Sequence, residues 1–525
     1  MFLALLSIVA SALLLLVTIL SNSRKPCYKE NSLPPAPWPR LPLVGNLFYH
    51  SPTIASLGDV LRRLHAAHGP VVSLWVGGKP AVFITCHEIA HRTLVHMGTT
   101  FAHRPRTWCS GVNSHGVNSA DYGSRWGLLR RNLSSHLAAA HARTDELRAS
   151  ADRLVKTLES AATAGVNDGG IAGATAVVAP SETFRHAVFG FFGALCFGEG
   201  IEEDMLRRLR ALHAEIISLI VELDAFHLMP AFLQVVCYFP RWRKLVNAQR
   251  RHHVLVTAII GARRRRREEV VVGDAEAEHR CYLDTLLGLQ LGEDEMVSLC
   301  WEYMNAAVKT TATALEWIMA RLVLHQDIQQ KLRNDIARRR RATAGGNGNH
   351  MAANGEQQRP FLEAVVLEAL RLHPPAHYLL AHTTDKDVSV DRYVIPKGSV
   401  VNFGVASIGR DAALWTDPDV FRPERFMEGG EGSGVHCICT SRGSSTPETM
   451  KMIPFGAGRR ACPGAAVAVT VLQAFVEDLV MRFEWRQVGV AGGVVGAAVD
   501  MTEKPGIITE MRVPLRTHLV VRQSN

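Results

Sequence analysis

Between Phe455 and Gly464 the chain reads F-G-A-G-R-R-A-C-P-G, and no other stretch constrains the fold as tightly. One cysteine, Cys462, is framed there by Gly458, Gly464, Phe455 and two arginines. The glycines let backbone approach a large flat ring closely. Backbone amides aimed at the sulfur would tune its potential. Phe455 would shield it from water, and Arg460 would pair with a propionate. A sulfur held this way suits a thiolate bound axially to haem iron, where it pushes electron density toward bound oxygen and favours O–O cleavage. A phosphate-binding glycine loop is excluded, because the run contains neither G-x-G-x-x-G nor G-x-x-x-x-G-K-[ST]. The plain alternative is a buried structural cysteine, the usual state of a lone Cys.

Two shorter motifs precede this loop. Glu368 and Arg371 stand i,i+3 within E-A-L-R-L-H-P-P, on one face of a helix, where they can pair. Arg425, within P-E-R-F (Pro423 to Phe426), would complete a bidentate Glu–Arg–Arg network under the haem. Its expected role is structural, since breaking it strands a buried charge.

The rest of the chain predicts a mostly α protein with a small β part. Gly69 to Thr85 reads as a hairpin turning at Gly-Gly-Lys-Pro. Helical patterning runs from Trp126 to about Leu291, with interruptions around Gly165 to Gly173 and at Pro230 and Pro240. Glu293 to His325 is one long helix free of Gly and Pro, and Pro360 to His373 another, stopped by Pro374 and Pro375. Val388 to Phe403 alternates like strands, Gly429 to Thr446 is loop-like, and strand-like runs return between Phe483 and Val521.

The composition is ordinary for a globular chain: 525 residues, 47% hydrophobic and 20% charged. The net charge of +9 owes much to Arg263–Arg267 and Arg338–Arg341. Neither run has interleaved aromatics or a recognisable module, so nucleic acid is not an expected partner. Solvated helix ends are the first account of both, and attraction to a membrane or an acidic partner the second. Ten scattered cysteines make no disulfide framework and fit a reducing compartment.

Residues 1–23 carry no charged side chain and are almost all apolar to Leu20, long enough to span a bilayer. Arg24 and Lys25 follow the run, and no positive residue precedes it. That order predicts an uncleaved, single-pass signal anchor with the following chain in the cytosol. Residues 24–46 form a basic, proline-rich hinge, and residues 47–525 the catalytic domain.

Taken in order, anchor, hinge, W-G-L-L-R (Trp126 to Arg130), long helix, E-x-x-R, P-E-R-F and cysteine loop, the chain resembles the cytochrome P-450 superfamily. Its wording is closest to plant microsomal enzymes, and to plant P-450 family 89. The resemblance implies that fold, with haem b between the long central helix and the loop of Cys462, the iron ligand. It implies propionate contacts from Trp126, Arg130, Arg460 and His382, and help in oxygen activation from Thr310. It also implies an endoplasmic reticulum membrane enzyme that uses O2 and takes electrons from a separate NADPH-cytochrome P-450 reductase, because the chain holds no flavin or NADPH module of its own. The pocket would draw on Arg106 to Tyr122, Glu302 to Thr310, Ala376 to His382 and the loop near Gly506. Tyr378, Leu379 and Leu380 point to a small, largely apolar organic substrate.

One position departs from the family pattern. Where the central helix usually reads [AG]-G-x-[DE]-T-T, this chain has A-A-V-K-T-T, Ala306 to Thr311. Lys309 stands in place of the acid and Ala307 in place of glycine. Lysine's ordinary pKa of about 10.4 suits neutral-pH proton cycling poorly. Lys309→Asp is therefore expected to raise product formed per NADPH. The alternative is impaired or non-monooxygenase chemistry, isomerase-like or dehydratase-like, or a haem binder without catalysis. Two further patterns are read as decoys. H-E-x-x-H at His87–His91 is expected to be an early helix, not a zinc site. His436-Cys437-Ile438-Cys439 is expected to be a flexible loop. Phe226 to Trp242 is unusually apolar and reads as core or as a second membrane contact.

Overall fold

The computed structural model describes residues 33–37, 46, 54–76, 79–105, 116–140, 143–164, 177–224, 231–269, 281–344, 359–437, 446–488, 499–504 and 506–522. The apolar run 1–23, most of the hinge and the interruption at Gly165 to Gly173 lie outside them. Among the described residues no helix is long and apolar enough to cross a membrane.

The molecule is mostly helical. Among the described residues the α-helices are α1 (Ile54–His68), α2 (His87–His91), α3 (Ser124–Ala140), α4 (Thr144–Ala164), α5 (Ser181–Phe197), α6 (Glu203–Asp224), α7 (Ala231–Glu269), α8 (Tyr282–Gly288), α9 (Glu293–Leu324), α10 (Gln326–Ala344), α11 (Phe361–Leu372), α12 (Val405–Gly409) and α13 (Ala465–Arg482). The central helix is α9. Glu293, Asp294 and Glu295 fill its first turn and oppose the helix dipole. His325 leaves helical geometry and ends it. From Thr311 to Ala320 every residue of α9 is buried, as in a helix at the middle of a core. It packs against α5, α11 and α13.

The β part is small. A four-stranded sheet has the order β1–β2–β7–β4, from Val71–Val76, Lys79–Ile84, Val400–Phe403 and His382–Thr383. The hairpin β1–β2 is antiparallel, β2 pairs parallel with β7, and β4 returns antiparallel. The expected Lys-Pro of the hairpin turn belongs instead to β2, since Lys79 faces Val76 and Pro80 faces Trp75. β5 (Val388–Val390) pairs with β6 (Tyr393–Ile395). The tail strand β9 (Thr517–Val521) lies between β3 (Val177–Val178) and β8 (Phe483–Gln487). Described residues of the proline-rich segment dock on β1. Ser73 donates its amide to Pro35 and its hydroxyl to Pro34, both at 2.8 Å, and Asn46 exchanges hydrogen bonds with Trp75.

Three expectations change. Pro240 does not interrupt a helix but lies inside α7. The Arg263–Arg267 run is more than a solvated end. Arg263 is buried and bidentate on Asp284 at 2.9 and 2.8 Å, and Arg266 caps the carbonyls of Glu199 and Gly200. In the second run, Arg340 bridges to Glu477 and Asp478 on α13, and Arg338 and Arg339 return to Asp335. In the apolar stretch Phe226 to Trp242, whose first part lies outside the described residues, Phe239 is exposed.

Candidate active site

The cysteine loop is shaped by its contact with the turn that follows α2. Gly458 has φ +70°, and a Cβ there would sit 1.9 Å from the Leu94 carbonyl oxygen. Only glycine fits. Gly464 differs from expectation: it is not in the left-handed region, and a Cβ would meet only Leu137 at 4.0 Å. What Gly464 gives is its amide, which hydrogen-bonds the Cys462 sulfur. The Cys462 amide donates to the Phe455 carbonyl at 2.8 Å, and the Phe455 side chain, half-buried, packs on the main core. Cys462 lies just ahead of the N-terminus of α13, whose dipole favours a thiolate. Cys462 is exposed as a residue, yet protein crowds its thiol enough that burial pushes the pKa up. The Gly464 amide and the Arg130 charge oppose that rise. An exposed residue whose thiol still feels burial marks a cleft floor, not a structural cysteine.

Around this floor the donors converge. Trp126 and Arg130 lie one turn apart on α3. Arg130 donates to the carbonyl of Ala461, the neighbour of Cys462. The Trp126 ring lies 5.0 Å from Tyr122 and 4.7 Å from the Arg460 guanidinium, and its buried indole N–H has no partner. Arg460 donates to the carbonyls of Ala102, Val117 and Ala120 at 2.7, 2.8 and 2.7 Å. His382 bonds the Phe101 carbonyl through Nδ1 at 2.6 Å, which makes Nδ1 the donor. Burial holds its pKa near 3, so the ring is neutral and Nε2 is an acceptor. Contact with a carboxylate there requires the protonated ring.

Sequence reasoning missed Arg104. It lies in F-A-H-R-P, Phe101 to Pro105, just ahead of the segment expected to line the pocket. Its guanidinium donates to the carbonyls of Leu380 and Ala381 at 2.7 and 2.9 Å. Burial, with Arg460 adding to it, lowers its pKa to about 9, and burial likewise lowers Arg460 to about 10. The carboxylate acting on both is Glu302 on α9, itself pushed up to about 7 by burial although the Asn118 amide donates to it at 2.7 Å. Two half-buried guanidiniums share Glu302, and only the exposed Asp121 adds a carboxylate, to Arg460 alone, which leaves the group short of negative charge. Together with the unpartnered Trp126 N–H, that deficit fits the two propionates of a haem.

Opposite lies α9. Asn305 and Ala306 are exposed in mid-helix, and Ala307 is half-buried. The Thr310 hydroxyl donates to the Ala306 carbonyl at 2.6 Å. The Lys309 ammonium is engaged elsewhere, 3.1 Å from a Glu510 carboxylate oxygen.

Behind the loop, Glu368 receives two bonds from Arg371, at 2.7 and 2.8 Å, and one from Arg425 at 3.0 Å. The Arg422 amide adds a fourth at 2.9 Å. Arg371 also holds the carbonyls of Gly409 and Pro418, and Arg425 holds Thr416 and the Glu431 carboxylate. All three triad side chains are essentially fully buried. Glu431 balances the second arginine and was not foreseen, because it lies in the segment read as featureless loop.

Among the described residues no cluster could hold a metal ion in the manner of H-E-x-x-H. His91 is buried with its ring edge-on to His96. His436 and Cys437 lie in the described part of their loop, and 438–439 outside it.

Comparison with known proteins agrees with this geometry. The family model "Cytochrome P450" matches residues 35–491. Cytochrome P450 89A9 of Arabidopsis thaliana is 32% identical, over 94% of this chain and 95% of its own. Flavonoid 3'-monooxygenase of the same plant is 29% identical, over 97% and 96%. The 3-hydroxyindolin-2-one monooxygenase of Zea mays is 26% identical, over 96% and 91%. A zebra fish cytochrome P450 solved with progesterone shares the fold with a TM-score of 0.68 at 20% identity, covering 88% of this chain and 99% of that one. The chain belongs to the cytochrome P450 family and is a haem-thiolate monooxygenase.

Proposed function

We propose that this chain works as a single-pass, membrane-anchored enzyme of the endoplasmic reticulum, with its catalytic domain in the cytosol. It carries out R–H + O2 + NADPH + H+ → R–OH + H2O + NADP+ on a small, mainly apolar organic molecule. A separate NADPH-cytochrome P-450 reductase supplies the electrons. The observation that carries the reading is the exposed Cys462 beside a ring of donors short of negative charge. The anchor rests on the apolar run 1–23 and the Arg24-Lys25 pair behind it.

When bound, haem iron supplies the activation of O2. The residues of this chain then divide the remaining work. Cys462 ligates the iron, its charge steadied by the Gly464 amide and the end of α13. Arg104, Trp126, Arg130 and Arg460 hold the propionates, and His382, its Nδ1 bound to the Phe101 carbonyl, would join them only by taking a proton. Thr310, donating to Ala306, keeps its oxygen lone pairs free to accept a proton donor. Leu379 and the exposed Leu380 present apolar surface to the substrate. Lys309 takes no proton-transfer role, since its ammonium is bound to Glu510.

The test is the full chain in microsomes with a plant reductase, NADPH, isotope-labelled O2 and a panel of apolar substrates. The expected result is one labelled oxygen per product, and a reduced CO complex with the red-shifted band of thiolate ligation that Cys462→His abolishes. An unshifted band in the unaltered chain rejects Cys462 as ligand, and unlabelled product rejects the oxygenase.

A further inference from the structure

The position that breaks the family pattern belongs to an ion-paired chain. Glu510 places one carboxylate oxygen 3.1 Å from Lys309 Nζ on α9 and the other 3.1 Å from an Arg185 nitrogen on α5. Arg185 also pairs with the exposed Glu182. Signs alternate along Glu182, Arg185, Glu510 and Lys309, and the Lys309 and Glu510 side chains are only 25% and 16% exposed. One carboxylate thus ties the tail of the chain to two core helices.

The tail arm, residues 499–504 and 506–512, is a narrow turn-back in which Glu503 bridges Met511 and Arg512 donates to the Thr502 carbonyl. Its other ties run to the segment after α11. The Thr509 amide and hydroxyl bond the carbonyls of Pro375 and Pro374, and the Trp317 indole donates to the Thr509 carbonyl at 2.6 Å. Glu503 lies 2.8 Å from His377 Nε2; burial pushes its carboxyl up, but His373 and then His377 outweigh that and hold it well below the usual range. The arm therefore spans both walls of the cleft. On one side it reaches Lys309, next to Thr310 and one turn from the accessible Ala306. On the other it reaches the segment that leads to Leu380 and His382.

We propose that Lys309 and Glu510 are positioning residues: their ion pair clasps the tail arm to the central helix and sets the width of the substrate cleft. An acid at position 309 would repel Glu510 and release the arm. The lysine is thus explained by what the arm carries, independently of proton delivery. The placement of this clasp beside a substrate cleft rests on the oxygenase reading above.

Hydrogen exchange of the full, haem-loaded chain tests it without turnover, so its outcome stands whatever product assays show. Lys309→Met and Glu510→Gln should each speed exchange of tail-arm peptides about fivefold, the worth of a partly screened ion pair. Peptides of α11 should not change. In the Glu510→Gln background, Lys309→Met should add nothing further. A substrate found by the panel should bind correspondingly less tightly, raising KM with little change in kcat. Unchanged arm exchange in both single variants overturns the clasp, and so does the same factor for Lys309→Met in both backgrounds. If a variant does not fold, the unaltered chain still decides: high salt must speed exchange of the arm and not of α11, and equal or absent effects overturn the proposal.

Discussion

At the level of single residues, the site is decided by which atoms have no room and which have no partner. Gly458 has no room. Gly458→Ala combines left-handed backbone with a methyl driven into the Leu94 carbonyl. It should cost about 3 kcal/mol or more and prevent stable haem incorporation, read as lost chemical stability and a lost haem absorption band. Gly464→Ala meets no such contact and should retain haem. Lys309 illustrates how a sequence motif can mislead. Read against the family pattern, Lys309→Asp should improve coupling. With Glu510 in view, it sets two carboxylates face to face where an ion pair stood. Product per NADPH should fall, and peroxide rise, relative to the unaltered chain. A rise in coupling would restore the proton-delivery account.

The elements show what patterning can and cannot reveal. The triad joins α11 to the P-E-R-F turn, and its three charges lie where water does not reach. Glu368→Gln keeps the shape but strands the Arg371 and Arg425 charges. The expected loss is about 3–5 kcal/mol, measured by denaturant unfolding of the haem-loaded chain. A loss below about 1 kcal/mol would mean that other carbonyls and Glu431 already satisfy the arginines. This network was legible because each member lies in a short run of fixed spacing. The central helix was legible for the same reason: thirty-two residues without Gly or Pro, opened by acids. What sequence could not give was contact between distant segments. Arg104 reads as one arginine among many until the fold brings it to Leu380, 276 residues away. Glu431 lies among glycines that signal only a loop. Pro240 carries a strong helix-breaking signal, yet α7 continues through it, an instance of tertiary context overriding propensity.

Across the whole molecule, the same burial that shapes the haem cleft stores a sensitivity to acid. Burial lowers His213 to a pKa of about 3, and His136, His252 and His373 to about 4. His213 and His252 are the sharpest case. Their Nε2 atoms lie 3.3 Å apart between α6 and α7, and both rings stand T-shaped to Trp301 on α9. One ring must donate to the other, so the pair is stable only while at least one is neutral, and two protons would set like charges in contact. Each folded-state pKa lies below the unfolded value of about 6.5. The folded chain therefore binds fewer protons than the unfolded one between those limits, and each histidine's contribution is fully present above pH 6.5 and fades as pH falls toward 3 or 4. From pH 6.5 to pH 5 each such group should cost about 1.5 kcal/mol. Thermal unfolding of the haem-loaded chain should thus shift to lower temperature across this interval, before most carboxylates titrate. Replacing the pair, His213→Gln with His252→Gln, keeps polar groups at the α6–α7 contact and removes both titrations. That variant should lose less stability than the unaltered chain over the same interval, even if it starts lower at pH 7. Equal slopes for the two proteins would place the acid sensitivity elsewhere, and a flat profile in the unaltered chain would mean that these rings gain protons without opening the fold.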